Sequence, residues 1–338
     1  MSERICHKSL YLYFIGTPKV AISIPNILTK RRSRDIVSRW EGNPLIHINS
    51  LSFPCADIHN TAVTMFNDKV YLLITIEHLS GLRCIHLATP TANGYFKVHR
   101  KPLLSPSDKS EYSRHRTGGV MDARITVLDG VYYIMYTALG EYGYRLGLAK
   151  TNDFKSVERI GIISEPDTKA GILFPARVNG NYARLERPDD GGSIWMSFSP
   201  DLIHWGGSEL IIRPRGGFWD SDRVGPGATP IEIEQGWLLI YYGVKVTSAG
   251  PIFRIGTVIL EKDNPIKVVG RANIPILSPR MNYERVGDVP NIVYSNGAVL
   301  TEEGILNIFY GAANSCICIG TTTIDEIVAN CVDSEHEY

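Results

Sequence analysis

Asp122 stands in the run Gly118–Gly130 (GGVMDARITVLDG), at the head of a strand-like stretch, with Arg124 two residues on. In an extended strand residues i and i+2 share a face, so Arg124 is expected beside the Asp122 side chain, where it would orient or tune it. A carboxyl so placed can hold and hand over a proton, whereas a lone Asp beside glycines is otherwise a turn or capping residue. A second group is cationic or polar: Lys169 ahead of GILFP, Arg187 in RLERP, Arg223 in FWDSDRVGPGATP, and Tyr242 at the end of LLIYYGV. Brought together, these side chains make an anion site with a neutral hydroxyl beside it; taken singly, each is an ordinary solvated or ion-paired residue. Gly225 and Gly227, just after Arg223, would let main chain approach a ligand closely. Asn60 and Thr61 in IHNTAV and Asp288 in GDVPNIVY complete the set, with sugar contact and a plain turn role as the alternatives.

Other chemistries find no support. The chain has no G-x-S-x-G, no P-loop, no H-E-x-x-H and no dinucleotide fingerprint, and its nine histidines are scattered. Lys+Arg and Asp+Glu both number 35, so there is no basic excess to attract nucleic acid or an anionic membrane. Six cysteines, none in a C-x-x-C pair, read as small buried hydrophobes of a reduced protein. The apolar run Ser9–Gly16 lacks a cleavage pattern and is far shorter than the roughly 20 residues a spanning helix needs, so a cytoplasmic protein is expected.

The elements that must position these residues are legible as a repeated phrase, a Gly-, Asn- or Asp-containing turn followed by β-branched and aromatic residues. It occurs as FNDKVYLLITIE (66–77), LDGVYYIMYTAL (128–139), VNGNYARLERP (178–188), EQGWLLIYYGV (234–244) and EEGILNIFYGA (302–312). The N-D, D-G and N-G pairs are strong hairpin formers, and second strand-like runs follow several copies, such as RLGLAKTND and CICIGTTT. No long stretch keeps a 3.6-residue apolar period. Copies spaced roughly 45 to 70 residues apart suit four-stranded propeller blades, where a β-sandwich would give shorter and more even spacing. The expected fold is all-β, a five-bladed β-propeller over residues 39–338, preceded by an arm or extra strand over residues 1–38. Loops of such a fold converge at one end of a central channel, which lets distant residues share a site.

In an ordered series of motifs the sequence resembles glycoside hydrolase family 130, the β-mannoside phosphorylases and related β-mannosidases. The series runs NPLI (43–46), HNTAV (59–63), VMDARI (120–125), ILFPARVNGNYARLERP (172–188), SIWMSFSPDLIHW (193–205), FWDSDRVGPGATPI (218–231), LLIYYGV (238–244) and GDVPNIVYSNGAV (287–299). The resemblance implies a five-bladed propeller acting with inversion, with Asp122 as general acid. It implies inorganic phosphate as co-substrate and no other cofactor, a phosphate site of Lys169, Arg187, Arg223 and Tyr242, and mannoside contacts from Asn60, Thr61, Arg124 and Asp288. The sequence departs from the family pattern at several places: Lys169 for Arg, Ala170 for Asn, Arg223 for Lys, Tyr242 and Glu186 for His, Thr75 for Arg, and Met121 before the acid. Three cations survive these exchanges, which favours phosphorolysis to α-mannose 1-phosphate. Hydrolysis with Glu186, Asp220 or Asp222 activating water, and an inactive carbohydrate-binding propeller, stand as the alternatives. A homo-oligomer joined through the arm is a further expectation, and linkage specificity is not legible.

Overall fold

The computed structural model describes residues 9–12, 20–25, 35–106, 118–140 and 143–332. Each repeated phrase is the hairpin turn and second strand of one blade. In the first three copies both turn residues have positive φ: Asn67 and Asp68, Asp129 and Gly130, Asn179 and Gly180. That is the turn geometry which matches the twist of the flanking strands.

Blade I comprises Asp57–Phe66, Lys69–Glu77, Arg83–Pro90 and Phe96–Val98. Blade II comprises Gly119–Leu128, Val131–Gly140, Gly143–Thr151 and Glu158–Ile162. Blade III comprises Thr168–Leu173, Tyr182–Pro188, Ile194–Ser199 and Gly206–Ile212. In blade IV the inner strand is split into Arg223–Pro226 and Ile231–Ile233, followed by Gly236–Thr247, Gly250–Leu260 and Val268–Arg271. Blade V has Val293–Leu300, Ile305–Ala312 and Cys316–Thr323. Its outer edge is filled from the other end of the chain, because Ser38–Arg39 and Ile46–His47 pair antiparallel with Cys316–Thr323. The five blades form a β-propeller.

The core explains why the strands read as continuous apolar runs. A blade is covered on both faces, so both sets of alternating side chains are buried. An apolar cluster fills each gap between successive blades: Leu73 and Ile134 between I and II, Met135 and Leu173 between II and III, Leu185 and Leu239 between III and IV, Ile240 and Leu306 between IV and V, Ile58 and Ile317 between V and I. The last of these closes the ring.

Closure is reinforced by a buried ion-pair clasp. Arg39 donates to both carboxylate oxygens of Glu284, at 2.6 and 2.9 Å, to Asp35 at 2.9 Å and to the Ser278 carbonyl at 2.6 Å. Glu284 is fully buried and also accepts from the Tyr310 hydroxyl and the Arg280 main-chain N–H. Asp35 and Val37 are themselves buried in the propeller, and a boundary between residues 38 and 39 falls inside a strand. Replacing Arg39 strands the Glu284 charge in the interior, so Arg39→Met should lower unfolding free energy by about 3–5 kcal/mol. A urea midpoint within error of the wild type would show that the clasp does not hold the ring.

Candidate functional site

The inner strands carry the site, and each departs from regular pairing at its channel-facing point. In blade II, Met135 pairs with Arg124 and Thr137 with Met121, so Asp122 and Ala123 together oppose Tyr136. Corresponding bulges place His59 and Asn60 opposite Thr75 in blade I, Ala170 and Gly171 opposite Glu186 in blade III, and Ser295 and Asn296 opposite Tyr310 in blade V. A bulge bends a strand and re-aims its side chains. Here the bulges of blades I and II aim Asn60 and Asp122 at one cavity, that of blade V sends Asn296 to the Ala123 carbonyl, and that of blade III brings Ala170 to the cavity wall.

The bulge corrects the expected relation between Asp122 and Arg124. Asp122 has φ +59°, so the two side chains do not share a strand face. Arg124 is buried and binds the Asp122 main-chain carbonyl at 2.9 Å rather than its carboxylate. Its remaining bonds cross the channel to the carbonyls of Gly227 and Pro226, at 2.8 and 3.0 Å, and to the Tyr294 hydroxyl at 2.5 Å. The groups that fix the carboxylate come from blade I. Asn60 donates its amide N–H to Asp122 Oδ1, the Thr75 hydroxyl donates to Asn60 Oδ1 at 3.2 Å, and the Asp122 N–H donates to Thr75 Oγ1 at 3.0 Å. Thr75, which reads in sequence as a lost arginine, is the corner of this ring.

A cavity of about 250 Å³ opens over Asp122. Of the nine residues singled out in the sequence, Asn60, Asp122, Lys169 and Tyr242 line it. Lys169 Nζ lies 4.2 Å from the centre of the Tyr144 ring and 3.7 Å from Asp189 Oδ1. Arg187, buried beside it, binds the same Asp189 oxygen at 2.7 Å, and its Nε has no partner. Burial and the neighbouring Arg187 push the Lys169 ammonium below the ordinary lysine range, against the pull of Asp189. Burial opposes the Arg187 charge too, but Tyr242 and Asp189 outweigh it and raise its pKa. Arg223 flanks this pair, bound to Asp222 at 2.5 Å with its guanidinium 5.3 Å from the centre of the Phe253 ring.

The other expected contacts sit differently. Thr61 is fully buried in blade I and does not line the cavity. Asp288 is exposed at the rim. There its charge, after burial, helps push Asp57 up to about 6. Gly225 makes room for Tyr242, whose hydroxyl would lie 2.3 Å from a β-carbon at that position, and Gly227 packs against the carbonyls of Ile240 and Ser295. Neither glycine is spared for a ligand. His59, Arg83 and Tyr144 also line the cavity and were not singled out. Only the polar break of His59 in an apolar stretch offered a signal. Among the described residues no cluster of His, Cys, Asp and Glu is placed to hold a metal, and no helix is long and apolar enough to cross a membrane.

The glycoside hydrolase family 130 model, described as beta-1,4-mannooligosaccharide phosphorylase, matches residues 28–333. The chain belongs to glycoside hydrolase family 130. It is 35% identical over 232 residues to the 1,2-beta-oligomannan phosphorylase of a Thermoanaerobacter species, covering 67% of this chain and 74% of that one. With the beta-1,4-mannooligosaccharide phosphorylase of Ruminococcus albus it shares 28% identity over 324 residues, 91% of this chain and 95% of the other. The solved structure of beta-1,2-mannobiose phosphorylase from Listeria innocua, in complex with beta-1,2-mannobiose, superposes with a TM-score of 0.78 at 27% identity, over 87% of this chain and 98% of that one.

Within this family 130 site, Ala170 bears a local strain. Its φ is +57°, in the left-handed region that costs a residue with a β-carbon about 1 kcal/mol, at the position where the family pattern has Asn. Ala170→Gly should therefore raise stability by about 0.5–1 kcal/mol, read from the urea midpoint at unchanged slope. A loss of stability would mean that packing of the Ala170 methyl against Tyr242 outweighs the backbone term.

Proposed function

We propose that this family 130 chain is an inverting β-mannoside phosphorylase. It cleaves β-1,2- or β-1,4-linked mannobiose or manno-oligosaccharides with inorganic phosphate and releases α-mannose 1-phosphate. The observation that carries this reading is one cavity with a fixed carboxyl, Asp122, on one side and Lys169, backed by Arg187 and Arg223, on the other. Asn60 occupies Oδ1 of Asp122, which leaves Oδ2 to carry the proton. A phosphate oxygen attacks C1 of the mannosyl unit from the face opposite the leaving group. As the C1–O bond breaks, the departing oxygen takes the Asp122 proton, directly or through a sugar hydroxyl, and solvent later restores it. The cations hold phosphate and offset its charge.

Hydrolysis would need a free carboxylate to activate water, and the expected candidates are engaged. Glu186 accepts from Arg184 and Ser197 and faces a different cavity. Asp220 is fully buried between Arg215, Arg271 and the Tyr241 hydroxyl. Asp222 is ion-paired with Arg223 and does not line the Asp122 cavity. A cytoplasmic setting, where sugar phosphates are retained, fits the five buried free thiols among the described cysteines.

The deciding measurement is incubation of β-mannobioses with and without inorganic phosphate, with mannose 1-phosphate assayed directly. Phosphate-dependent mannose 1-phosphate is expected, falling at least 10³-fold in Asp122→Asn, a substitution that tolerates the same backbone conformation. Free mannose formed at a rate indifferent to phosphate would make the chain a hydrolase. A second prediction concerns pH. Lys169 must be charged to hold phosphate, and its pKa is lowered by burial, so KM for phosphate should rise with pH well before an ordinary lysine deprotonates near about 10.4. Lys169→Arg should flatten that limb; a wild-type profile already flat to that pH would remove Lys169 from phosphate binding.

A further inference from the structure

The structure holds a second and larger cavity, of about 570 Å³, on the other face of blade III. We propose that it is a non-catalytic binding site for an uncharged saccharide. Its floor is a closed set of polar groups. The Glu186 carboxylate accepts from Arg184 Nε at 2.9 Å and from the Ser197 hydroxyl, and Ser197 Oγ lies 2.8 Å from Ser208 Oγ. The Arg184–Glu186 pair cancels its own charge, and the other ionisable lining groups, Glu165 and His204, are exposed, with His204 paired to Asp201. The floor presents planar carboxylate and guanidinium edges and two hydroxyls, which are the partners a polyhydroxyl ring requires.

The walls supply the other half of sugar recognition. Trp205 lines the cavity with its indole 4.6 Å from the Arg184 guanidinium, and Ile203, 60% exposed, stands at the rim. Apolar walls with a few fixed polar groups are the usual make-up of a ligand site, and a pyranose has both a C–H face and a hydroxyl edge to match. Strand alternation explains how one hairpin serves two cavities. Glu186 and Arg187 are consecutive, so they point to opposite faces, Glu186 into this cavity and Arg187 toward the anion end of the catalytic one. Thr168 and Pro188, which pair across the hairpin, line the second cavity, while Lys169 lines the first and Arg187 is buried beside it. A saccharide held here would sit one hairpin away from the phosphate-holding cations. This site does not require that the catalytic cavity perform phosphorolysis.

The test is calorimetric titration of the full chain carrying Asp122→Asn with β-1,2- and β-1,4-mannobiose, compared with the same chain carrying Ser208→Trp in addition. Ser208 is exposed, so the indole fills the cavity without entering the core. One bound equivalent per chain should disappear, two becoming one, or one becoming none if the catalytic cavity does not retain mannobiose. On an otherwise wild-type chain, Ser208→Trp should leave kcat and KM for mannobiose within twofold. An unchanged stoichiometry would overturn the proposal. So would displacement of the second equivalent by inorganic phosphate, since that would make the site an anion site.

Discussion

Arg124 joins the blades at the propeller axis. From the inner strand of blade II its guanidinium reaches the main-chain carbonyls of Pro226 and Gly227 in blade IV and the hydroxyl of Tyr294 in blade V. Smaller bonds run alongside it: Asn296 to the Ala123 carbonyl, Thr229 to that of Ile125, and Thr126 to that of Leu173. A planar group with five donors suits this place, because it satisfies several carbonyls in different directions that would otherwise be buried without partners. Arg124 also bonds the carbonyl of Asp122, so the strut that joins the blades fixes the peptide carrying the Asp122 carboxyl. Tyr294 is kept a neutral donor and acceptor by burial, which raises its pKa against the pull of Arg124.

The charge economy of the molecule follows from where its pairs are buried. The chain is neutral overall, yet three cations crowd one end of one cavity. Their counter-ions, Asp189 and Asp222, lie at moderately exposed positions, where solvent screens each pair. The carboxylates that are fully buried, Glu284 and Asp220, are each held by two or more donors and serve architecture. Exposure thus separates the pairs that solvent screens from those it does not.

Three turns were legible because N-D, D-G and N-G specify a backbone that few other pairs adopt; with the Q-G and E-G turns of the last two phrases they placed the second strand of every blade. The outer edge of blade V was harder to read, since its two strands are two residues long and lie some 270 to 280 residues from their partner. The motif singles out Asp122 but not its neighbours, because a one-residue bulge reverses the alternation on which face-sharing rests. The same cause misplaced Arg124 and hid Thr75. Thr61 was carried into the set by its adjacency to Asn60, yet it falls on the far side of the blade I bulge and points into the core.

The exchanged cations make sense against the rings that face them. Lys169 ends over Tyr144, where a compact ammonium on a flexible stem can sit above a ring and still turn toward an anion. Arg223 lies near Phe253, which also stacks on Tyr242, so one aromatic ring braces both the flat guanidinium and the hydroxyl-bearing ring. Gly225 has no side chain to obstruct that hydroxyl, and a larger residue there would displace Tyr242 from Arg187. The substitutions are therefore coupled: a histidine restored at Tyr242 alone would be too short to fill the space between Gly225, Phe253 and Tyr294, and Arg187 would lose the neighbour that helps hold its charge.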